Sequence, residues 1–133
     1  MAVPETEDDL WPIYILVVDD EPLLRMALAE ELRDAGFTVA EAANADEALA
    51  YYHASQNIDL VFTDVQLPGS LDGIALVDRL YDLNGFLPVI VTSGALGDRH
   101  IADGAKFIPK PYRLDEARSL VFSTLGVKPR GAG

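Results

Sequence analysis

Cysteine is absent from this chain of 133 residues. Its absence excludes disulfide bonds, zinc sites with thiolate ligands and catalysis by a thiol, and it fits a reducing compartment. Basic residues are scarce, because 10 Lys and Arg stand against 22 Asp and Glu and the formal net charge is −12. Nucleic-acid binding through a basic face is therefore not expected, since neutralising phosphates requires clustered cations. An acidic chain suits a divalent cation or a basic patch on a partner protein.

Long hydrophobic segments are missing as well. The longest apolar run, Trp11–Val18, is too short to span a bilayer, and Met1–Leu10 carries acids without Lys or Arg, unlike a secretory signal. We therefore expect a cytoplasmic protein that does not contact a membrane. The length is that of one domain. We expect an acidic N-terminal extension over residues 1–12, the folded domain over 13–126 and a flexible tail over 127–133.

Two kinds of segment alternate along the chain. Five short, apolar, β-branched segments predict strands over Ile13–Val18, Phe37–Ala40, Ile58–Thr63, Leu87–Thr92 and Ala105–Ile108. Four segments with apolar residues at helical spacing predict helices over Pro22–Ala35, Asn44–Ala54, Asp72–Leu83 and Arg113–Leu125. Pro22 suits a first helical position, and Gly36 and Gly126 suit helix ends.

This alternation predicts an α/β fold. The first, third and fourth predicted strands are apolar along their whole length, as strands buried on both faces are. Alternating strands and helices indicate a parallel sheet with right-handed crossovers and helices on both faces. In such sheets, ligands bind beyond the carboxyl ends of the strands.

Polar residues stand at the carboxyl ends of four predicted strands: Asp19 and Asp20, Asp64, Thr92, and Lys110. Two carboxylates ~4 Å apart repel by about 4 kcal/mol at an effective dielectric constant near 20, so converging acids require a cation or a proton. Oxygen ligands without Cys or His select a hard ion, Mg²⁺ first and Mn²⁺ as the alternative. Asp64 is then either a metal ligand alone or a nucleophile that forms an aspartyl phosphate. Lys110 and Thr92 can contact phosphoryl oxygens.

Several motifs together are similar to those of the response regulator receiver domain. They are Val17–Pro22 (VVDDEP), Phe62–Asp64 (FTD), Leu67–Pro68, Asp72–Gly73, Val91–Gly94 (VTSG) and Lys110–Tyr112 (KPY). The resemblance covers residues 13–125 in order and spacing. It implies a flavodoxin-like, doubly wound, five-stranded parallel sheet with strand order 2-1-3-4-5.

The resemblance also implies a role for each site residue. Asp64 would be the phosphoacceptor, and Asp19, Asp20, Asp64 and the backbone carbonyl of Gln66 would bind Mg²⁺. Thr92 would be the switch hydroxyl, and Lys110 would pair with the phosphoryl group, with a cis bond to the following proline. The chain would be a phosphoprotein of a two-component system or phosphorelay rather than an enzyme acting on other substrates. Its partners would be a sensor histidine kinase or a histidine phosphotransfer protein, and an output protein that the sequence does not name.

Three features depart from the usual pattern of that family. Residues 93–105 hold three glycines and no convincing apolar stripe, so we expect the fourth helix, between the fourth and fifth strands, to be short or absent. Phe107 occupies the position of a second switch residue, with a ring that cannot form a hydrogen bond. Gly69-Ser70 lengthens the turn after the third strand. The short fourth element and this longer turn resemble those of receivers of hybrid histidine kinases and their stand-alone relatives.

Two other functions remain as alternatives. A pseudo-receiver would bind a partner without phosphorylation, although its usual mark is the loss of an acid, Thr or Lys. A phosphohydrolase of the haloacid-dehalogenase type would also use an Asp nucleophile. That class requires a second acid two residues after the nucleophile, where this chain has Gln66. A local structural reading is also open, in which Asp19-Asp20 caps a helix and Asp64 forms an Asx turn.

Overall fold

The computed structural model describes residues 10–55 and 57–129. These residues form five strands and four helices in the predicted order. The elements are β1 (Tyr14–Val18), α1 (Pro22–Asp34), β2 (Thr38–Ala42), α2 (Ala45–Ser55), β3 (Leu60–Asp64), α3 (Gly73–Leu83), β4 (Val89–Ser93), β5 (Lys106–Pro109) and α4 (Leu114–Leu125). Each predicted strand and helix is present, and most boundaries shift by one or two residues.

The five strands form one parallel sheet with the order β2-β1-β3-β4-β5. This confirms the predicted α/β fold and strand order. In the register of β3 and β4, Asp64 pairs with Thr92, and in that of β4 and β5, Thr92 pairs with Ile108. All strands run in the same direction, so the residues that follow their carboxyl ends lie along one edge of the sheet.

Helices cover both faces of the sheet. On one face, α1 and α4 pack over the side chains of Ile15, Phe62 and Ile90. On the other face, α2 and α3 pack over Val61 and Val91. The β3 and β4 side chains are buried throughout, which explains why their sequences are apolar without alternation.

The helix ends follow local sequence signals. Pro22 is the first residue of α1, where its missing N–H leaves no intrahelical hydrogen bond unmade. Asp72 caps α3, since its Oδ1 accepts a hydrogen bond from the amide of Ala75 at 2.9 Å. Gly126 ends α4 with a φ of 71°, a left-handed conformation that glycine adopts without steric cost.

The connection between β4 and β5 contains no helix within the described residues 94–105. This agrees with the expectation that the fourth helix is short or absent, and we therefore number the C-terminal helix α4. The segment is nevertheless packed, since Leu96, Ile101 and Ala102 contact the core face that α2 and α3 cover. Three glycines and the lack of a helical apolar stripe explain why this segment forms a loop rather than a helix.

The core also includes Trp11, which the sequence placed in the N-terminal extension. Its ring packs on Phe37 with a centroid distance of 4.9 Å, and Phe37 packs on Phe122 at the same distance. The packed structure therefore reaches back to Trp11, before the expected boundary at residue 13. Residues 1–9 of the expected extension and 130–133 of the expected tail lie outside the described residues. None of the helices in the described part of the chain has the length and apolar character needed to span a bilayer.

Candidate functional site

Three carboxylates meet at the carboxyl edge of the sheet. Asp19 and Asp20 follow β1, and Asp64 is the last residue of β3. Each side chain offers one oxygen, and the three oxygens lie within 4.8 Å of one another. Asp19 and Asp64 are buried, whereas Asp20 is exposed at the rim. The donor set consists only of carboxylate oxygens, which suits a hard divalent cation.

Backbone amides orient the two buried carboxylates. The Glu21 amide donates to Asp19 Oδ1 at 2.9 Å, and the Gln66 amide donates to Asp64 Oδ1 at 3.1 Å. The Asp19 amide in turn donates to the Ala42 carbonyl at 3.1 Å, which extends the β1–β2 pairing to the site. The carboxylates are therefore fixed by the turns that end the strands.

Lys110 provides the positive charge of the site. Its Nζ lies 2.8 Å from Asp64 Oδ2, 3.3 Å from Asp19 Oδ2 and 3.8 Å from Glu21 Oε1. Partial burial acts to lower the pKa of Lys110, but the hydrogen bond to Asp64 and the charges of Asp19 and Asp64 outweigh it and raise that pKa. Lys110 therefore stays protonated as the counter-ion of the two buried acids. The bond from Lys110 to Pro111 is cis, as the family resemblance implied.

The surroundings disfavour further negative charge. Burial raises the pKa of Asp19, with a smaller contribution from Asp64, although the Glu21 amide and Lys110 act in the opposite direction. Burial also raises the pKa of Tyr112, and the acids at positions 19, 64 and 21 raise it further. A cation that enters the site would relieve this excess of negative charge.

Thr92 lies beside Asp64 in the sheet and is almost completely buried, with 1% of its surface exposed. Its backbone carbonyl accepts a hydrogen bond from the Val65 amide at 2.9 Å. Its hydroxyl Oγ1 has no hydrogen-bond partner among the described residues. A buried hydroxyl without a partner is energetically unfavourable, so it favours a group that can accept its hydrogen bond.

Gly73 allows α3 to begin directly against the site. Its amide donates to the Val65 carbonyl at 2.7 Å. A Cβ atom at this position would stand 1.9 Å from the carbonyl oxygen of Asp64. The close packing of the start of α3 against the Asp64 carbonyl therefore explains the glycine of the Asp72-Gly73 pair, because a residue with a Cβ atom would displace the end of β3.

The remaining predicted residues lie farther from the carboxylates or contact them only through the backbone. Gln66 contacts Asp64 through its amide, and its side chain is exposed. Phe107 pairs with Val91, so its side chain points to the face opposite to Thr92 and is 36% exposed. His100 and Asp103 form an exposed contact of 3.7 Å in the β4–β5 loop, consistent with a solvated loop rather than a metal site.

Sequence reasoning missed two contributors to the site. Tyr112 packs on Phe62 with a centroid distance of 5.8 Å and lies in the field of the acids. Arg25 donates to the backbone carbonyl of Asp19 at 2.9 Å. The contact of Arg25 could have been predicted from its position one turn into α1, because a long side chain there can reach back to the end of β1.

The family model of the response regulator receiver domain matches residues 15–122. The chain therefore belongs to the response regulator receiver domain family, a class of signalling modules with a flavodoxin-like fold. It is 35% identical over 113 residues to the DNA-binding transcriptional regulator NtrC of Salmonella typhimurium, covering 80% of this chain and 24% of that protein. This chain thus spans about a quarter of the length of the curated relatives it first matches.

Two solved structures illustrate the similarity of the fold. The receiver domain of the hybrid histidine kinase CckA has a TM-score of 0.74 and 34% identity, covering 84% of this chain and 98% of that one. The response regulator TrrA of Thermotoga maritima, solved with Mg²⁺ and BeF, has a TM-score of 0.76 and 29% identity, with the same coverage of both chains. Receiver domains bind Mg²⁺ at an acidic pocket and interact with sensor histidine kinases. In this chain, Asp19, Asp20 and Asp64 form an acidic cluster at the carboxyl edge of the sheet.

Proposed function

We propose that this chain accepts a phosphoryl group from a phosphohistidine onto Asp64 and thereby changes its binding to an output protein. The observation that carries this proposal is one arrangement at the sheet edge. Three carboxylates lie together, an ammonium group contacts two of them, and among the described residues a buried hydroxyl without a partner lies beside them. This arrangement offers a nucleophile, a cation site and two groups that can contact phosphoryl oxygens.

The carboxylates of Asp19, Asp20 and Asp64, with the backbone carbonyl of Gln66, would hold Mg²⁺, with Mn²⁺ as the alternative. The all-oxygen donor set supports this assignment, since hard divalent ions prefer carboxylates and carbonyls. When bound, the ion would neutralise charge on the phosphoryl oxygens. Asp20 is exposed, so the cation would remain accessible to solvent and to the phosphoryl donor.

In the proposed transfer, a carboxylate oxygen of Asp64 attacks phosphorus. The new O–P bond forms as the P–N bond to the donor histidine breaks, and the electron pair returns to the imidazole nitrogen. Lys110 Nζ, 2.8 Å from Asp64 Oδ2, would then contact a phosphoryl oxygen. The Thr92 hydroxyl would donate to another, which would satisfy its hydrogen-bonding capacity.

Thr92 and Phe107 are the proposed switch residues. Movement of the Thr92 side chain toward the phosphoryl group would displace the β4–β5 loop, which begins two residues later. Phe107, 36% exposed on the edge strand, has space to change the position of its ring. Modification would shift the chain between two states only through its different free energy of interaction with each.

The donor protein would dock beside Lys110, because the phosphohistidine has to reach Asp64. A groove of about 380 Å³ opens there, with Leu24, Lys110 and Pro111 among its lining residues. Leu23 and Met26, which lie three residues apart on α1, are 84% and 53% exposed. Exposed apolar side chains of this kind suit a protein surface such as that of a histidine kinase or a phosphotransfer protein.

The test is incubation with acetyl phosphate and Mg²⁺, followed by intact-protein mass spectrometry. We expect the mass to increase by one phosphoryl group in the wild-type chain. Asp64→Asn, which keeps the size of the side chain, should show no increase while retaining its circular dichroism spectrum. Beryllofluoride should change the wild-type spectrum of amide resonances and not that of Asp64→Asn.

Each alternative gives a distinct result in the same assay. A wild-type chain that is never modified under any Mg²⁺ concentration would contradict the proposal and leave the pseudo-receiver function. Release of phosphate over many turnovers without a stable product would favour the hydrolase. Labelling that persists in Asp64→Asn would show that another residue is the nucleophile.

A further inference from the structure

Arg25 connects the end of β1 to the edge strand β2. Its Nη1 donates to the backbone carbonyl of Asp19 at 2.9 Å, and its Nε donates to Glu41 Oε1 at 3.1 Å. The Arg25 side chain is 18% exposed, so these hydrogen bonds are largely shielded from water. The planar guanidinium allows both contacts to be made with one rigid group.

The contact with Asp19 completes the set of hydrogen bonds around that residue. The Asp19 amide donates to Ala42, its Oδ1 accepts from the Glu21 amide, and its Oδ2 faces Lys110. Its carbonyl is held by Arg25. Each of these polar atoms of Asp19 therefore has a partner, and within residues 10–55 and 57–129 the carbonyl is bound by a side chain rather than by a strand.

We infer that Arg25 is a positioning residue for the cation site, acting through the Asp19 backbone. It fixes the peptide after Asp19, and this peptide links Asp19 to Asp20. Two of the three proposed metal ligands are thereby oriented by one guanidinium. This inference rests on the proposed function, since it concerns the affinity of the same carboxylates for Mg²⁺.

A purely electrostatic role for Arg25 would act in the opposite direction. A positive charge near the carboxylates opposes the binding of Mg²⁺, so its removal would strengthen binding. Glu41 pairs with Arg25 and offsets much of that charge. If Arg25 acts by orientation, its removal weakens Mg²⁺ binding, and the sign of the change therefore separates the two roles.

Arg33 offers a matched control on the same helix. Its Nη2 donates to the other oxygen of Glu41 at 3.2 Å and to the backbone carbonyl of Val39 at 2.9 Å. Each arginine thus contacts Glu41 of β2 and one backbone carbonyl, and Arg33 also pairs with Glu30 within α1 at 3.2 Å. The difference that matters for the test is the carbonyl, because that of Asp19 lies at the site and that of Val39 lies within β2.

The experiment compares Arg25→Gln with Arg33→Gln in the full chain. Isothermal titration with Mg²⁺ should show about tenfold weaker binding for Arg25→Gln, the size typical when a partner of a metal ligand is removed. Arg33→Gln should bind Mg²⁺ as the wild type does. In the metal-free chain, the Glu21 amide should exchange faster with solvent in Arg25→Gln alone. Urea denaturation measures the loss of stability in both variants.

The rate of phosphorylation by acetyl phosphate tests whether Arg25 acts through Mg²⁺ binding or on the phosphoryl transfer itself. The rate of Arg25→Gln should fall at limiting Mg²⁺ and return to the wild-type rate at saturating Mg²⁺. Arg25→Lys, which can reach either Asp19 or Glu41 but lacks the guanidinium fork, should bind Mg²⁺ with an intermediate affinity. It also serves as the test variant if Arg25→Gln does not fold.

The outcomes distinguish this inference from the proposed function. If the wild-type chain does not bind Mg²⁺, the proposed function fails. If the wild type binds Mg²⁺ and Arg25→Gln binds it equally or more tightly, only the role of Arg25 is overturned. The same conclusion follows if Arg25→Gln and Arg33→Gln lose equal affinity, because the effect would then come from the general link between α1 and β2.

Discussion

At the scale of single residues, the site is a balance between three carboxylates and one ammonium group. Lys110 bridges Asp19 and Asp64, and its raised pKa shows that this charge is stabilised by the acids around it. Lys110 therefore supplies part of the positive charge that offsets these carboxylates. The proposed phosphoryl group would give its ammonium a new partner.

We expect Lys110→Ala to separate cation binding from phosphorylation. Removing the ammonium increases repulsion among the carboxylates, so Mg²⁺ affinity measured by titration calorimetry should be unchanged or higher. The phosphorylation rate should fall by about a hundredfold, the order seen when one charge-stabilising donor is lost. Lys106→Ala, which removes an exposed lysine from β5, the strand that Lys110 follows, is the control and should affect neither quantity. A loss of Mg²⁺ binding in Lys110→Ala would contradict this assignment.

At the scale of elements, the β4–β5 connection is a loop rather than a helix, and an ion pair attaches it to the start of α3. Arg99 of this loop pairs with Asp72, which caps α3. Burial alone would raise the pKa of Asp72, but the amide of Ala75 and the hydrogen bond and charge of Arg99 outweigh it and lower that pKa. The loop after Thr92 and the helix after Asp64 are thus linked by a contact between charged side chains.

The lowered pKa of Asp72, caused by the Ala75 amide and by Arg99, predicts a pH dependence of stability. Because the Asp72 pKa is lower in the folded state than in the unfolded state, the unfolded state binds more protons in acid. The charged Asp72 therefore stabilises the fold fully above the ordinary pKa of 3.8. This stabilisation is lost as the pH falls through the folded-state pKa. Asp72→Asn keeps a good helix cap and removes the charge. Near neutral pH it should be less stable in urea by about 0.5 kcal/mol, as for a partly exposed pair.

The difference in unfolding free energy between wild type and Asp72→Asn should become smaller in acid. Arg99→Gln should lose a similar free energy of unfolding at neutral pH, and the double variant should lose no more than either single variant. Two results would show that the two side chains do not interact. One is a difference in unfolding free energy between wild type and Asp72→Asn that stays constant through the acidic range. The other is a double variant whose loss of unfolding free energy equals the sum of the two single losses.

At the scale of the whole molecule, one aromatic cluster joins distant parts of the chain. Trp11 precedes β1, Phe37 precedes β2, and Phe122 belongs to α4. Their rings fill the end of the core face covered by α1 and α4. We propose on this basis that the folding unit includes Trp11, rather than beginning at residue 13.

Trp11→Ala should therefore destabilise the whole domain. We expect the free energy of unfolding, measured by circular dichroism in urea, to fall by about 3 kcal/mol, as for other large aromatic residues removed from a core. Leu10→Ala is the control, because Leu10 is exposed and its loss should change stability by less than about 0.5 kcal/mol. Equal effects of the two substitutions would place Trp11 outside the cooperative core.

The sequence by itself determined the elements and the edge at which the site lies. Apolar runs and helical spacing are local, so the strands and helices could be recognised without knowing their neighbours. Asp19, Asp20 and Lys110 follow strands, Asp64 ends one and Thr92 is the last residue but one of another. A parallel sheet brings all of these carboxyl ends to one edge. Their convergence could therefore be expected before any distance was known.

Only the tertiary structure decided the contacts between side chains that are distant in the sequence. The link from Arg25 to Asp19 and Glu41, the pairing of Arg99 with Asp72 and the burial of Trp11 leave no periodic signal. They depend on how helices and loops pack across the sheet and on the register of its strands. Long-range packing combines many weak contacts, and a single sequence does not specify which of them form together.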